Sequence, residues 1–253
     1  MLVPQSERPI CFDKCAGLRY TVPMKERILL VIAALVLLPG IGREALWAAP
    51  AAPAAPDFTK WEREIAEFER ADQIKASPQG AVLFTGSSTI RLWATLAQDF
   101  PQAPLLNRAF GGSQIADATH FAPRIIFPYA PRAIYLRAGG NDLWAGKSVE
   151  AVFADYKDFV ATVHAKLPNT DIIYIALSPS IARWGQADKE LALNTLIAAH
   201  VKGQARLRFI DTYDMVLGPD GRPRPELFVA DQLHFNAEGY KLLAAKVRPD
   251  LEK

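Results

Sequence analysis

The chain has 253 residues, of which 50% are hydrophobic and 22% charged, and its 29 basic and 27 acidic side chains give a formal net charge of +2. This balance excludes a disordered tail, a collagen-like fibre and a disulfide scaffold, and it leaves enough apolar side chains for one large core. Basic and acidic residues alternate along the chain without a long Lys/Arg run, so nucleic acid is not an expected partner.

Residues 24–50 have the layout of a secretory signal peptide. A charged stub begins at Met24, an unbroken apolar run covers Ile28–Leu38, and small residues follow. The run is too short to cross a hydrocarbon core of about 30 Å, which takes about 20 residues. We therefore expect cleavage within Ala48–Ala55 and export to the periplasm or the medium. The alternative is an uncleaved segment that anchors the protein to a membrane.

Residues 1–23 form an N-terminal extension without a periodic pattern, which favours a later start codon. Both cysteines, Cys11 and Cys15, lie in this extension. A redox or metal role for their C-x-x-x-C spacing therefore applies only to a segment that we expect to be absent. Residues 51–56 are an Ala/Pro linker that cannot continue a helix. The folded domain is predicted to cover residues 57–253, without a cysteine and with equal numbers of basic and acidic side chains.

Short apolar runs alternate with amphipathic stretches through this domain. The runs are rich in β-forming residues and end at Gly, Pro, Asn or Asp, which is typical of strands buried on both faces. Such alternation predicts a three-layer α/β/α sandwich around a central, mostly parallel five-stranded sheet. The predicted strands are Ala81–Thr85, Leu105–Ala109, Ala133–Arg137, Ile172–Leu177 and Leu207–Asp211. The predicted helices are Asp57–Ala76, roughly Ile90–Ala97, Ile115–Pro128 with breaks, Ser148–Leu167, Ala187–Lys202 and Asn236–Val247.

Four short blocks carry the residues suited to chemistry, and three of them directly follow predicted strands, where the ligands of such sheets bind. The first block, Gly86–Trp93, has a serine pair at a strand-to-helix turn. The second, Asn107–Ser113, and the third, Gly139–Asp142, supply an Asn amide and glycines that let a backbone N–H approach a ligand. The fourth, Asp231–His234, supplies an Asp/His pair before the last predicted helix.

In this order, the four blocks resemble those of the SGNH hydrolases, also called the GDSL esterase/lipase family, over about residues 81–247. The resemblance implies a flavodoxin-like SGNH hydrolase fold and a serine enzyme that cleaves carboxylic esters. It makes Ser88 the nucleophile, His234 the general base and Asp231 the residue that orients the base. Ser87 stands where the family's naming motif has an aspartate. No His-Glu-x-x-His pair, Walker loop or Gly-x-Gly-x-x-Gly motif is present, so neither a metal nor another cofactor is expected.

The chemistry of these residue types agrees with the implied roles. A serine hydroxyl is a poor nucleophile at neutral pH, and a histidine can take its proton and return it to the leaving alcohol. A carboxylate three residues before His234 can fold back to the imidazole Nδ1–H. Taken without the other blocks, Asp231 would instead be a turn or capping residue.

The family pattern assigns the oxyanion hole to the backbone N–H groups of Ser88 and Gly112 and to the side-chain amide of Asn141. Ser88 begins a predicted helix, whose N-terminal dipole favours negative charge, and Gly112 has no Cβ to block a close approach. The alternative is that Gly111, Gly112 and Asn141 are ordinary turn residues.

Five further residues are candidate supporting or substrate-contacting groups. Arg91 is expected to hold the first block through a buried hydrogen-bonded pair, and Trp93 through packing. Trp144, Arg183 and Trp184 follow predicted strands. These three either rim the pocket, where they would contact a sugar or aryl group, or pack locally.

Three functions share this set of residues. The first is a serine esterase acting on a small-molecule or glycan ester, with short-chain acyl or O-acetyl esters favoured. The second is an O-acyltransferase that passes the same acyl group to a cell-envelope or sugar acceptor. The third is a non-catalytic binding module, which the complete set of blocks disfavours. A membrane is an expected partner only through an uncleaved leader.

Overall fold

The computed structural model describes residues 56–252. The extension, the leader, both cysteines and all but the last residue of the linker lie outside the described residues, and their assignments stay predictions. Within residues 56–252, no helix combines the length and the apolar character needed to cross a lipid bilayer.

A sheet of five parallel strands forms the centre of the fold, in the order β2-β1-β3-β4-β5. All five residues of β1 and of β3 are buried, as expected for strands covered on both faces. From β1 the chain goes to β2 on one side of it and then to β3 on the other side, and ligands of such sheets bind at this switch point. The strands are β1 (Val82–Gly86), β2 (Leu105–Asn107), β3 (Ala133–Arg137), β4 (Asp171–Ile175) and β5 (Leu207–Ile210).

Helices cover both faces of the sheet, which confirms the predicted three-layer α/β/α sandwich. Five 3-10 turns occur between residues 56 and 252, at Thr59–Trp61, Phe127–Tyr129, Trp184–Gln186, Asp214–Val216 and Pro225–Leu227. The α-helices are α1 (Glu62–Ile74), α2 (Ser88–Arg91), α3 (Leu96–Asp99), α4 (Ile115–Ile125), α5 (Gly140–Trp144), α6 (Val149–Lys166), α7 (Ala187–Val201) and α8 (Ala237–Leu251).

The side chains on the two faces of the sheet belong to two separate hydrophobic cores, because successive side chains of a strand point to opposite sides. On one side, Leu83 of β1 and Ile134 of β3 pack with residues of α1, α4, α6 and α7. On the other side, Phe84 and Tyr135 pack with residues of α2, α3 and α8. The continuous apolar runs of the sequence therefore reflect burial on both faces.

One predicted helix differs from the structure, and one helix of the structure was not predicted. The single helix predicted over Ile90–Ala97 is two short helices, α2 and α3. The chain turns between them because the Trp93 indole N–H and the Thr95 hydroxyl both donate hydrogen bonds to Asp99 Oδ2, at 2.6 and 2.7 Å. Helix α5 was not predicted, because Gly-Gly-Asn-Asp is also a favourable turn sequence.

Gly86, the last residue of β1, lies against β3 so closely that no side chain fits. Its φ is +123°, and a Cβ at this position would overlap the carbonyl oxygen of Arg137. The approach lets the Ser87 N–H donate to that same oxygen, at 3.1 Å. The turn that leads into Ser88 is therefore fixed to the neighbouring strand.

We expect Gly86→Ala to lower the free energy of unfolding by about 2–5 kcal/mol, through backbone strain and overlap with β3. The matched control is Gly80→Ala, where φ is +66° and a Cβ would meet nothing within 4 Å. The control is expected to lose only the left-handed penalty, about 1–2 kcal/mol. Urea unfolding of both variants measures the difference, and equal losses would contradict the close approach of β1 and β3.

Candidate active site

The four blocks identified in the sequence meet beyond the carboxyl ends of β1, β2 and β3. Ser88 begins α2 directly after β1, and Gly112 follows β2. Asn141 lies in the first turn of α5, and His234 precedes α8. All four residues border one cavity of about 700 Å³.

Ser88, His234 and Asp231 form a continuous chain of contacts. Ser88 Oγ lies 2.9 Å from His234 Nε2, and His234 Nδ1 lies 2.6 Å from Asp231 Oδ2. With the proton on Nδ1, the imidazole donates to the carboxylate and accepts the serine hydroxyl proton. This is the arrangement that a base-activated serine nucleophile requires.

The loop before α8 holds Asp231 in its ionised form. Gln232 takes a left-handed conformation, with φ of +58°, and the chain folds back so that Asp231 Oδ1 accepts the backbone N–H groups of Leu233 and His234, each at 2.9 Å. The His234 N–H bond and the contact with the His234 ring lower the pKa of Asp231 to about 2. The carboxylate therefore remains charged at neutral pH, where it can stabilise an imidazolium.

The structure brings together the three proposed oxyanion donors. Among the described residues, the backbone N–H groups of Ser88 and Gly112 have no hydrogen-bond acceptor. Gly112 has a φ of +83°, which few other residues adopt. The Asn141 Nδ2 amide donates one hydrogen to the Ser113 carbonyl, at 3.0 Å, which leaves its second hydrogen for a ligand.

Arg183 forms a hydrogen bond with Asn141. The sequence pattern did not predict this contact, because the two residues are 42 positions apart in the chain. Its Nη1 donates to Asn141 Oδ1 at 2.9 Å, and its guanidinium lies 5.0 Å from the centre of the Trp144 ring. Because a guanidinium only donates, this hydrogen bond identifies the amide oxygen of Asn141 and leaves Nδ2 on the opposite side, facing away from Arg183. Trp144 is 61% exposed and supports Arg183 from outside.

Asp142, the residue after Asn141, ties the third block to the start of α4. It is fully buried, and its carboxylate oxygens accept the Ile115 N–H at 3.3 and 3.4 Å. Lys147 Nζ lies 3.1 Å from the same carboxylate. Burial raises the pKa of Asp142 more than Lys147 lowers it. We did not single out Asp142 or Lys147 from the sequence, although Asp142 belongs to the third block.

The expected buried hydrogen-bonded pair of Arg91 was wrong. The Arg91 side chain is exposed and forms no hydrogen bond or ion pair within residues 56–252. It lies against Gly111, where a Cβ would be 2.5 Å from Arg91 Nε, because the missing glycine side chain leaves that space open. Of the two alternatives for Trp184, the structure favours local packing: it does not line the cavity, and the Arg222 guanidinium lies 4.6 Å from its ring centre. Trp93 is buried, and its ring centre lies 5.7 Å from that of Tyr240.

Helix α1 supplies one wall of the cavity, although the sequence patterns gave it no role in the site. Its contribution is mainly charged, with only Phe68 apolar. Arg63 and Glu67 form an ion pair at 3.2 Å on this wall. The lining residues from α1 are Arg63, Glu64, Glu67 and Phe68. The other lining residues are Ser88, Arg91, Ala109, Phe110, Gly111, Gly112, Asn141, Arg183, Leu233 and His234.

Within the part of the chain that the structure describes, no three His, Cys, Asp or Glu side chains come close enough to hold a metal ion.

Several solved structures share this fold at low sequence identity. One, from Streptococcus pneumoniae and provisionally described as a platelet activating factor, has a TM-score of 0.68 and 19% identity, covering 77% of this chain and 94% of that chain. A GDSL-like lipase from Bacteroides thetaiotaomicron has a TM-score of 0.60 and 18% identity, covering 78% and 97%. A catalytic mutant of an acetylxylan esterase from Geobacillus stearothermophilus has a TM-score of 0.55 and 14% identity, covering 68% and 94%.

No curated protein sequence matches the chain. The model of the GDSL-like lipase/acylhydrolase family matches residues 79–242. Helix α1 precedes the residues that the family model matches. Because the match spans all five strands and all four blocks, the chain belongs to the GDSL-like lipase/acylhydrolase family and is a carboxylic ester hydrolase.

Proposed function

We propose that the enzyme cleaves short-chain acyl esters, O-acetyl esters in particular, through an acyl-enzyme on Ser88. The observation that carries the proposal is the chain of contacts from Ser88 through His234 to Asp231, which ends in the cavity beside three free hydrogen-bond donors.

In the first step, His234 Nε2 takes the Ser88 proton while Ser88 Oγ attacks the ester carbonyl carbon. The tetrahedral intermediate carries a negative charge on the former carbonyl oxygen. We assign the stabilisation of this charge to the Ser88 and Gly112 N–H groups and the Asn141 amide. His234 then gives the proton to the leaving alcohol, and Asp231 stabilises the imidazolium in between. Water releases the acyl group by the same steps in reverse.

The lining of the large cavity favours a small acyl group on a polar alcohol. Arg91 is exposed to the cavity without an ion-pair partner among the described residues, and Glu64 lines it on α1. A long acyl chain would desolvate these charges without offering them hydrogen bonds, whereas hydroxyl groups of a polar alcohol would offer them. The acetylxylan esterase of the same fold supports an acetylated sugar as one such substrate.

We also propose that the enzyme acts outside the cytoplasm. This part of the proposal rests on the leader-like sequence of residues 24–50, which lie outside the described residues.

Ser88→Ala and His234→Ala are each expected to lower kcat for p-nitrophenyl acetate by at least about 10³-fold, because each removes one member of the proton relay. The matched control is His200→Ala, at the end of α7, where the ring contacts Phe153 and Gln204. This variant is expected to keep the kcat of the parent enzyme. Retention of most activity in Ser88→Ala would refute the assignment of the nucleophile.

Asn141→Ala is expected to lower kcat by about 10²–10³-fold, as for loss of one oxyanion donor. Arg183→Met is expected to lower kcat by about 10–100-fold with a smaller change in KM, because the charge-assisted bond that orients Asn141 is lost. In the Asn141→Ala background, Arg183→Met should have little further effect on kcat. Fully additive losses would show that Arg183 does not act through Asn141.

Acyl-chain length tests the substrate class. Going from acetyl to octanoyl p-nitrophenyl esters, kcat/KM is expected to fall at least about tenfold, because of the charged lining. A rising kcat/KM would point to a lipase. Acetylated sugars with and without added acceptor alcohols separate an esterase from an O-acyltransferase, since a transferase would form the new ester faster than free acetate.

A further inference from the structure

A second, smaller cavity borders the proposed catalytic residues. It has a volume of about 60 Å³ and is in contact with Ser88, Asn141 and His234. Unlike the large cavity, it extends toward β3, the loop after β4 and the start of α7. The residues that line it but not the large cavity include Ser87, Arg137, Ser178, Ser180, Gln186 and Glu190.

Two of the side chains that line this cavity carry buried hydrogen-bond acceptors that lack a donor. Glu190 and Gln186 are only 5% and 6% exposed. Gln186 Nε2 donates to Glu190 Oε1 at 2.7 Å, but within residues 56–252 nothing donates to Glu190 Oε2 or to Gln186 Oε1. Buried polar atoms of this kind are costly unless a bound group satisfies them. Both atoms need a donor, so a small molecule with at least two hydrogens to donate fits the site.

The surroundings of Glu190 point the same way. Burial raises the pKa of its carboxyl to about 7, although the Gln186 hydrogen bond and the charges of Arg137 and Arg183 act in the opposite direction. Arg137 is buried as well. Its Nη1 donates to the Ala176 carbonyl and to the Thr212 hydroxyl, and its Nη2 donates to the Ser178 hydroxyl. The carboxyl therefore lacks a close ionic partner, and its free oxygen needs a small neutral partner that can donate to the ionised form and accept from the protonated form.

We propose that this cavity is a water site, and that it supplies the water that hydrolyses the acyl-enzyme on Ser88. The volume has room for about two molecules at roughly 30 Å³ each, and water both donates to the two unpaired acceptors and accepts from hydroxyl groups such as that of Ser180. The inference rests on the proposed function, since it assigns the second half of that reaction.

The step balances without any other reactant. The water oxygen attacks the acyl carbonyl carbon while His234 Nε2 takes one water proton. The bond between that carbon and Ser88 Oγ then breaks, and His234 returns the proton to Ser88 Oγ. The products are the free carboxylic acid and the regenerated serine. Because an acceptor alcohol has to enter through the large cavity, a separate water site also favours hydrolysis over acyl transfer.

Filling the cavity tests the proposal. Ser180 is 6% exposed and lines the cavity, and its hydroxyl makes no hydrogen bond to another described residue. In Ser180→Leu, the full chain is expected to form the acyl-enzyme normally and to hydrolyse it slowly. With p-nitrophenyl acetate, kcat and KM should then fall together, by about tenfold or more, while kcat/KM is kept. A burst of nitrophenol and an acetylated protein in the mass spectrum should accompany the slow turnover.

Two comparisons separate this effect from general damage. Ser180→Ala keeps the room and removes one hydroxyl, so its burst should be much smaller than that of Ser180→Leu. Val163→Phe overpacks the core near the C-terminal end of α6, far from the strand ends that carry the site. It should lower the melting temperature without producing a burst.

The proposal would be overturned if Ser180→Leu turned over at the parent rate, or if it lost kcat/KM without accumulating acyl-enzyme. A high-resolution crystal structure of the unsubstituted chain tests it independently of folding. It is expected to contain ordered water bonded to Glu190 Oε2 and Gln186 Oε1, and a dry cavity would also overturn the proposal. A Ser88-independent activity would instead refute the proposed function itself.

Discussion

The turn that follows β1 is the junction on which the rest of the site depends. The Gly86 carbonyl accepts the Phe110 N–H at 3.1 Å and the Ser113 hydroxyl at 3.0 Å, while the Ser87 N–H donates to Arg137 at 3.1 Å. The first block is thus bonded to the second on one side and to β3 on the other. Since the close approach to β3 leaves no room for a Cβ, the geometry of the turn that leads into Ser88, the proposed nucleophile, depends on one glycine in the sheet.

The buried Arg137 extends this junction across the sheet. Its guanidinium donates to the Ala176 carbonyl, to Thr212 Oγ1 at 3.1 Å and to Ser178 Oγ at 3.1 Å, so the ends of β3, β4 and β5 are joined beneath the site. Burial lowers the pKa of Arg137. On the same face of the sheet, the Tyr240 hydroxyl of α8 donates to the Thr89 carbonyl at 2.9 Å. This bond holds α8, and the loop before it, against the helix that begins at Ser88.

The bounds of the strands were predictable within one or two residues, because a strand buried on both faces has a continuous apolar run in its sequence. The meeting of Ser88, Gly112, Asn141 and His234 at one cavity was predictable because short motifs carry these residues, three of them after strands and one before the last helix. The same reasoning failed for Arg91, because its side chain lies in the space beside Gly111, a residue of another loop that the local sequence does not place there. Sequence analysis also assigned no role in the site to α1, because the pattern of an amphipathic helix does not show whether its charged face borders a cavity or bulk solvent.

By itself, the sequence determined the order of strands and helices, the class of fold and the residue types available at each strand end. These follow from local periodicity and from turn chemistry, which depend on neighbours in the chain. Only the tertiary structure decided how Arg183 meets Asn141 and how Glu190 and Gln186 come to border a second cavity behind Ser88. Such contacts join residues far apart in the chain, and the packing of whole helices against the sheet sets their distances.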